Sequence, residues 1–371
     1  MNFIKINLKL IILLFIMFLF SLISIYNADI INITVENILY KQILWIFIGS
    51  IFTIIICNIK NEFIYKNIKY FYILFNMLLG LLLIFGKEIN HAKCWFKIPG
   101  IGTFQPSETM KVILIIYISS IIVNFNKKKA KKSFYNDLIL FIIVFTILFI
   151  PSILTFLEPD TGAVLMYIIS IFIILYFNGF DNKWWFILFS IIISIISFIL
   201  YLYFFNRKLF VSLLGNTFFL RVERLINWIN LDGMQLKNSI ISIGSSGLIG
   251  NYFSNDVYFP EAHTDFIFSV FSSNFGFIGS IFLIITITIF DLEILSICKK
   301  SKKSINKYVV IGFLGLLMYQ QIQNISMTIG LLPITGITLP FISYGGSSLV
   351  NYMIIMGIIF NINYENQKYK N

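Results

Sequence analysis

The stretch "LKLIILLFIMFLFSLISI" (residues 8–25) decides the fold. Apart from Lys9 and two serines it is wholly apolar, and a run of ~18 such residues spans the ~30 Å hydrocarbon layer of a bilayer as a helix. Comparable runs lie at roughly 38–57, 68–86, 109–125, 138–157, 161–178, 184–205, 266–290, 308–326 and 335–361. Of 371 residues, 58% are hydrophobic and 12% charged, and a soluble domain carries about twice that charged share. Runs of this length satisfy their backbone in lipid as helices. The expectation is an all-α polytopic integral membrane protein, a single domain over 1–371 with about ten transmembrane helices. Lys5 and Lys9 accompany the first run, but "YNADI" after it lacks a small-x-small cleavage pattern, so it reads as a span and not as a signal peptide. Cys57, Cys94 and Cys298 are odd in number and scattered, which fits neither a disulfide framework nor a metal set.

Orientation follows from lysine placement. "KKKAKK" (127–132) and "KKSKK" (299–303) follow the fourth and eighth spans, Lys60 and Lys66 surround the second connection, and Lys368 and Lys370 close the chain. The connection after the first span holds Asp29 and Glu36 but no Lys or Arg. Both termini are therefore expected in the cytoplasm. The net charge of +11 reports this topology and does not point to nucleic acid. Two outer loops exceed simple turns, 87–108 and 206–264, the second being a large extracellular loop before the eighth helix.

Polar residues interrupt the apolar pattern at the outer starts of spans. In "FQPSETMKV" (104–112), Pro106 suits a first helical turn, and Glu108 and Lys111 share a helix face three residues apart. In "LEPDTGAV" (157–164), Asp160 is placed to cap the next helix, and Glu158 reads as an interfacial residue. In "FPEAHTDFIF" (259–268), Thr264 or Asp265 can cap the eighth span, yet capping alone explains neither Glu261 nor His263. A carboxylate at a helix start tends to stay ionised, which suits a metal ligand or a base. The spacing matches no strong metal motif. "GLLPITGITLPFISYGGSS" (330–348) is too rich in Gly and Pro for a continuous helix, and predicts a broken helix or a loop buried against protein. These residues alone leave enzyme and transporter both open.

Together "FQPSE" (104–108), "PDTG" (159–162), "SIISIGSSGLIG" (239–250), "FPEAHTDFIFSVFSSNFGFIG" (259–279) and the 330–348 stretch resemble the SEDS family of bacterial shape, elongation, division and sporulation proteins. RodA, FtsW and SpoVE are its members, RodA the branch most like this chain, and the resemblance covers nearly all of it. It implies a peptidoglycan glycosyltransferase of the bacterial cytoplasmic membrane, an inverting enzyme that polymerises lipid II on the outer face. An alternative, also associated with the family, is a lipid II flippase, and a scaffold that recruits a synthase is a third. The family's catalytic residues map onto Asp265, Glu108, Lys111 and Asp160. Asp265 would accept or polarise the acceptor hydroxyl proton, Glu108 would orient Lys111, and Asp160 would do likewise or bind a sugar. Substrate-binding residues are implied at Arg221, Arg224 and Gln235 of the large loop, at Glu261 and His263, and at Ser343, Gly345 and Gly346. His263 is expected as a hydrogen-bonding neighbour and not as the base. The leaving diphosphate would be held by Lys111 with Arg221 or Arg224, or by a divalent cation, Mg²⁺ or Mn²⁺, with Asp265 among its ligands. Implied partners are lipid II and the nascent glycan strand, a class B penicillin-binding protein for transpeptidation, and other membrane proteins of elongation or division complexes. The chain departs from the family at Glu158, where Gln is usual, at "AKCWFK" (92–97), which has one basic residue fewer or displaced, and at a shortened stretch ending at 229–235.

Overall fold

A computed structural model describes residues 7–31, 37–89, 92–98, 102–129, 133–229, 233–251 and 261–368. The described residues form thirteen helices and three short strands. In chain order they are α1 (Leu8–Ile31), α2 (Ile38–Asn58), α3 (Asn61–Phe85), β1 (Lys87–Ile89), β2 (Ala92–Ile98), β3 (Gly102–Phe104), α4 (Pro106–Lys128), α5 (Phe134–Leu157), α6 (Thr161–Asn178), α7 (Asn182–Phe205), α8 (Arg207–Leu214), α9 (Asn216–Ile229), α10 (Met234–Ser245), α11 (Ile267–Lys300), α12 (Ser304–Thr328) and α13 (Gly346–Lys368). Among them, nine are long and apolar enough to cross a membrane, and the chain is a polytopic membrane protein. The tenth helix of spanning length is α12, in which Gln320, Gln321, Gln323 and Asn324 interrupt an otherwise apolar sequence.

Burial separates the helices into layers. α4 and α13 are sequestered along most of their length, whereas α7 buries only Trp184 and Leu202. The centre is α13 against α2, α12 against α6 and α11, and α4 between α3 and α6. A peripheral residue can stay apolar because lipid is as apolar as Leu, so composition does not distinguish α7 from α4, but contact does.

Two outer-loop expectations change. The three strands Lys87–Ile89, Ala92–Ile98 and Gly102–Phe104 form an antiparallel sheet in the order β1-β2-β3, the exception to an all-helical reading. β2 follows the two-residue period of a half-buried strand, with Lys93 and Lys97 exposed and Cys94 between them buried. Of the expected loop 206–264, the described residues up to 245 are largely helical. Short α8 and α9 fold back on the end of α7 around Leu202, Phe210, Phe219 and Val222, with the Arg207 guanidinium 4.4 Å from the Phe219 ring centre. Phe259 and Pro260 of the 259–268 motif lie outside the described residues.

The last expected span, 335–361, is likewise corrected. Residues 329–345 are irregular, and α13 begins only at Gly346. Its second half is buried, with Ile337, Leu339, Phe341 and Ile342 almost inaccessible, and a broken backbone there needs hydrogen-bond partners from elsewhere. Side chains supply them. Trp228 Nε1 donates to the Gly330 carbonyl (3.1 Å), Gln323 Nε2 to that of Pro333 (2.9 Å), Asn324 Nδ2 to that of Ile337 (2.8 Å), and Ser21 Oγ to that of Ile342 (2.7 Å).

α11 is bent at Gly276 (φ 63°, ψ −161°), where the residues after α10 dock. Asn251 N donates to the Ser273 carbonyl (2.9 Å), Phe277 N to that of Gly247 (3.0 Å), and Ile278 N to that of Leu248 (3.1 Å). These bonds replace helical ones lost at the bend. Gly250 (φ +92°) sits so close that a Cβ there would overlap the Asn274 carbonyl. Gly250→Ala is therefore expected to destabilise the fold by about 2 kcal/mol or more. Gly244→Ala on α10, whose Cβ would meet nothing within 4 Å, should leave the thermal unfolding midpoint in detergent unchanged or raised.

Candidate functional site

Residues 261–266 form consecutive turns before α11. Glu261 has left-handed backbone (φ 57°), its carbonyl accepts from Thr264 N (3.2 Å) and Phe266 N (3.3 Å), and its Oε2 accepts from Thr264 Oγ1 (2.8 Å). The expected cap is absent, since the capping position of α11 falls on Phe266. Thr264 is spent on Glu261, and Asp265 is free of the helix end. The carbonyls of residues 263–265 are each bonded from elsewhere: His263 O by Tyr344 N (2.8 Å), Thr264 O by Ser343 Oγ (2.7 Å), and Asp265 O by Asn324 Nδ2 (2.8 Å). Burial, and next the Glu261 charge, push the Asp265 carboxyl up to about 7. Burial lowers the His263 imidazole, against the opposing pull of Glu261 and Asp29. Its Nδ1 is buried without a partner among the described residues, and the ring lies 5.6 Å from that of Tyr344, so no side-chain hydrogen bond from Nδ1 supports the bonding role expected of it.

The starts of α4 and α6 meet beside this turn. Asp160 caps α6 through Oδ1, which accepts from Ala163 N (3.0 Å). Its Oδ2 accepts from Gln105 Nε2 (2.8 Å) and Ser107 Oγ (3.1 Å), so one carboxylate caps a helix and joins two helix starts. On α4, Lys111 Nζ donates to Glu108 Oε1 at 2.8 Å and touches Met166 Sδ at 3.5 Å. Lys111 is 1% exposed and Glu108 9%. The ion pair is sealed, with the glutamate toward the cavity and the lysine behind it.

These elements surround a cavity of about 880 Å³. Six of the expected site residues line it: Glu108, Asp160, Glu261, Asp265, Gly345 and Gly346. Lys111, His263 and Ser343 are not among the lining residues, the Ser343 hydroxyl being engaged with Leu339 N (2.8 Å) and the Thr264 carbonyl. Gln235 is on α10 and does not line the cavity. Arg221 and Arg224 are on α9, and their side chains fall outside the described set. Sequence reading missed the wall given by α2: Tyr40, Lys41 and Trp45. The Lys41-Gln42 pair inside an apolar run was the available signal. It also missed Gln105, which lay within the quoted "FQPSE", and Gly336, whose φ of +70° sets a Cα so near the Asp265 carboxylate that a Cβ would lie 3.4 Å from Oδ2. Asn324 belonged to a visible cluster, "QQIQN" (320–324), inside a span.

Among the described residues no three or more His, Cys, Asp or Glu group together as metal ligands. Glu261 and Asp265 nevertheless line one cavity, and a pair of carboxylates fits Mg²⁺, which takes one or two and fills its shell with phosphate oxygens and water.

Fold and site define a class: a many-helix membrane protein with a carboxylate-lined cavity where several of its helices begin. The sequence profile of the FtsW/RodA/SpoVE family, described as "Cell cycle protein", matches residues 2–368. The chain belongs to this family, the SEDS proteins. It is 31% identical over 302 residues to the "Probable peptidoglycan glycosyltransferase FtsW" of Wigglesworthia glossinidia brevipalpis, covering 78% of this chain and 74% of that one. It is 28% identical over 340 residues to the protein so named from Buchnera aphidicola of Schizaphis graminum, covering 88% and 90%. The crystal structure of Thermus thermophilus rod shape determining protein RodA shares the fold with a TM-score of 0.72 at 20% identity, covering 99% of both chains. A chain from the structure described as "Structural coordination of polymerization and crosslinking by a peptidoglycan synthase complex" gives 0.77 at 21%, covering 97% and 98%.

Glu158 departs from its expected interfacial position. It is wholly buried, neither carboxylate oxygen has a partner among the described residues, and its carbonyl accepts from Cys94 Sγ (2.8 Å). Burial, and then the Asp160 charge, raise its carboxyl from 4.5 to about 8. Below pH 4.5 folded and unfolded chains both hold the proton. Between 4.5 and about 8 only the unfolded chain releases it, so the folded state loses stability as pH rises through this window and levels off above it. Glu158→Gln should therefore raise the unfolding midpoint at pH 8 and leave it unchanged near pH 4.

Proposed function

We propose that this chain is a peptidoglycan glycosyltransferase that polymerises lipid II into glycan strands, supporting cell-wall synthesis and cell shape or division. The observation that carries the reading is a pinned turn that presents Asp265, relieved of capping, to the same cavity as Glu108, Asp160 and Glu261. The relatives bearing the name peptidoglycan glycosyltransferase support it.

In this reading the cavity faces outside and both termini lie in the cytoplasm, with α12 as a tenth span. Lysine placement supports that orientation. α4 starts at the cavity and carries Lys127 and Lys128 in its last turn, and α11, which follows the Asp265 turn, ends in Lys299 and Lys300.

The acceptor sugar offers its 4-hydroxyl to the anomeric carbon of the lipid-linked strand. The new C–O bond forms as the bond to diphosphate breaks, and a single displacement turns an α linkage into β. Asp265 accepts the hydroxyl proton as the bond forms, which its pKa near 7 suits better than an ordinary carboxylate. A Mg²⁺ or Mn²⁺ ion, were Glu261 and Asp265 to hold one, would neutralise charge on the diphosphate, and Asp265 would then serve as its ligand in place of the base. Lys111 is already matched by Glu108 and sealed, so it holds Glu108 in place and does not reach the diphosphate. Lys41 is the basic residue among the described cavity lining, and it offsets the substrate's negative charge opposite the carboxylates. Transpeptidation falls to a class B penicillin-binding protein partner, in keeping with the likeness to a chain of a synthase complex.

The test is lipid II polymerisation in detergent by the purified chain with its class B partner. Wild type should form glycan strands, and Asp265→Asn should lower kcat by about 10²–10⁴-fold. Activity lost to EDTA and restored by Mg²⁺ or Mn²⁺ would assign the cation. An inactive wild type that moves lipid II across liposome membranes would favour the flippase. Lys41→Met should raise KM for lipid II about tenfold or more, and Lys41→Arg should restore most of it.

A further inference from the structure

The cavity explains which groups face substrate, but not what sets the direction of Asp265. Its own turn cannot. Glu261 is left-handed, α11 begins two residues beyond Asp265 without a side-chain cap, and the carbonyls of residues 263–265 take no bond from α11. Each is bonded from α12 or from the 329–345 segment. Asn324 differs from the other two donors because it spans both walls. Its single amide donates one N–H to the Asp265 carbonyl and the other to the Ile337 carbonyl, both at 2.8 Å. Ile337 and its neighbours Gly336 and Thr338 line the cavity across from Asp265, and a Cβ on Gly336 would stand 3.4 Å from Asp265 Oδ2. Asn324 is fully buried. Turning its amide over would set its oxygen against two carbonyls, so one orientation alone is tolerated. Its Oδ1 has no partner among the described residues, a cost that core packing alone does not require and that an apolar side chain of the same size would remove.

We propose that Asn324 is a positioning residue for the glycosyl-transfer site, a two-pronged amide that fixes the distance between the Asp265 turn and the Gly336–Thr338 wall. Ser343, bonded to both Leu339 N and the Thr264 carbonyl, secures the same turn from the other side. The inference rests on the glycosyltransferase reading. Neither residue touches substrate. With the clamp intact, the carboxylate meets the acceptor hydroxyl at one distance and angle. With it released, substrate still enters the cavity, but the reacting groups are misaligned.

The experiment measures lipid II polymerisation over a concentration series by the full chain with its class B partner, for wild type, Asn324→Leu, Asn324→Ser and Ser343→Ala. Asn324→Leu keeps the branched shape and removes both donors. Its kcat should fall between about ten- and a hundredfold, as expected for misplacement near 1 Å, with KM within about twofold of wild type. Asn324→Ser, which retains one donor, should lie between. Backbone hydrogen exchange should quicken at residues 263–266 in Asn324→Leu and stay unchanged in α4 and α6, a readout that needs no catalysis. Wild-type kcat in Asn324→Leu, or a loss confined to KM, overturns the proposal. If Asn324→Leu does not elute as a folded species, Ser343→Ala decides by the same kcat criterion. An inactive wild type with the exchange change present counts against the glycosyltransferase reading and leaves the clamp standing. Unchanged exchange removes the clamp.

Discussion

Three consecutive backbone carbonyls, those of His263, Thr264 and Asp265, set the terms for the rest of the structure. They lie just ahead of a helix, where their orientation prevents α11 from satisfying them, and they sit among buried side chains, where an unpaired carbonyl costs about 1–3 kcal/mol. The bonds come from Tyr344 N, Ser343 Oγ and Asn324 Nδ2, which requires the irregular 329–345 segment to run beside the turn and α12 to pass behind both. The irregular segment then presents unpaired carbonyls of its own, met by Trp228, Gln323, Asn324 and Ser21. Ser21 in turn accepts from the buried Gln42 of α2 (3.0 Å). One local requirement thus spreads by backbone accounting through α1, α2, α9, α12 and the segment before α13.

Charge is handled differently. The cavity gathers carboxylates, Glu108, Asp160, Glu261 and Asp265, which would repel one another in a low dielectric. Each has its own relief. Glu108 is paired with Lys111 at 2.8 Å, Asp160 takes three hydrogen bonds from Ala163, Gln105 and Ser107, and Glu261 takes one from Thr264. Asp265 has the least of this, and its carboxyl is the one raised to about 7. Of the four, Asp265 is the carboxyl that burial raises toward neutral pH, while hydrogen bonds or an ion pair engage the other three.

How much of this was legible in the sequence depends on the range of the interaction. The spans follow from local composition, and nearly all of those expected coincide with a helix. The exception, 335–361, failed because apolar residues continue through 337–342 although the backbone there is broken. Pro333, Pro340 and the glycines marked the break, and their density did predict a buried irregular segment. The strand β2 was hidden in a run too short for periodicity to stand out. At the site, Glu108, Asp160, Glu261 and Asp265 were visible as polar residues at helix starts, because that signal lies within a few positions of chain. Tyr40, Lys41 and Trp45 reach the cavity from a helix whose sequence neighbours are lipid-facing, and nothing local says which side of α2 turns inward. Ser343, His263 and Glu158 show the same limit: polarity was legible, but the partners that surround each side chain lie far along the chain.

Helix capping and catalysis compete for the same residue types, and here the competition was resolved by distance. A Thr or Asp before a helix would ordinarily be drawn to the first free N–H groups, which stabilises the helix by ~1 kcal/mol but fixes the carboxylate against its own backbone. The left-handed Glu261 shifts the register so that Phe266, which cannot cap, occupies that position. The helix start forgoes its cap, and the turn is instead held through its backbone carbonyls. Backbone anchoring of this kind restrains where Asp265 sits without engaging its carboxyl oxygens. A side-chain cap would have done the reverse. That separation of support from reactivity lets a buried, rigid turn carry a carboxyl still available to a ligand, and it ties a reactive group in the cavity to an amide on a helix behind it.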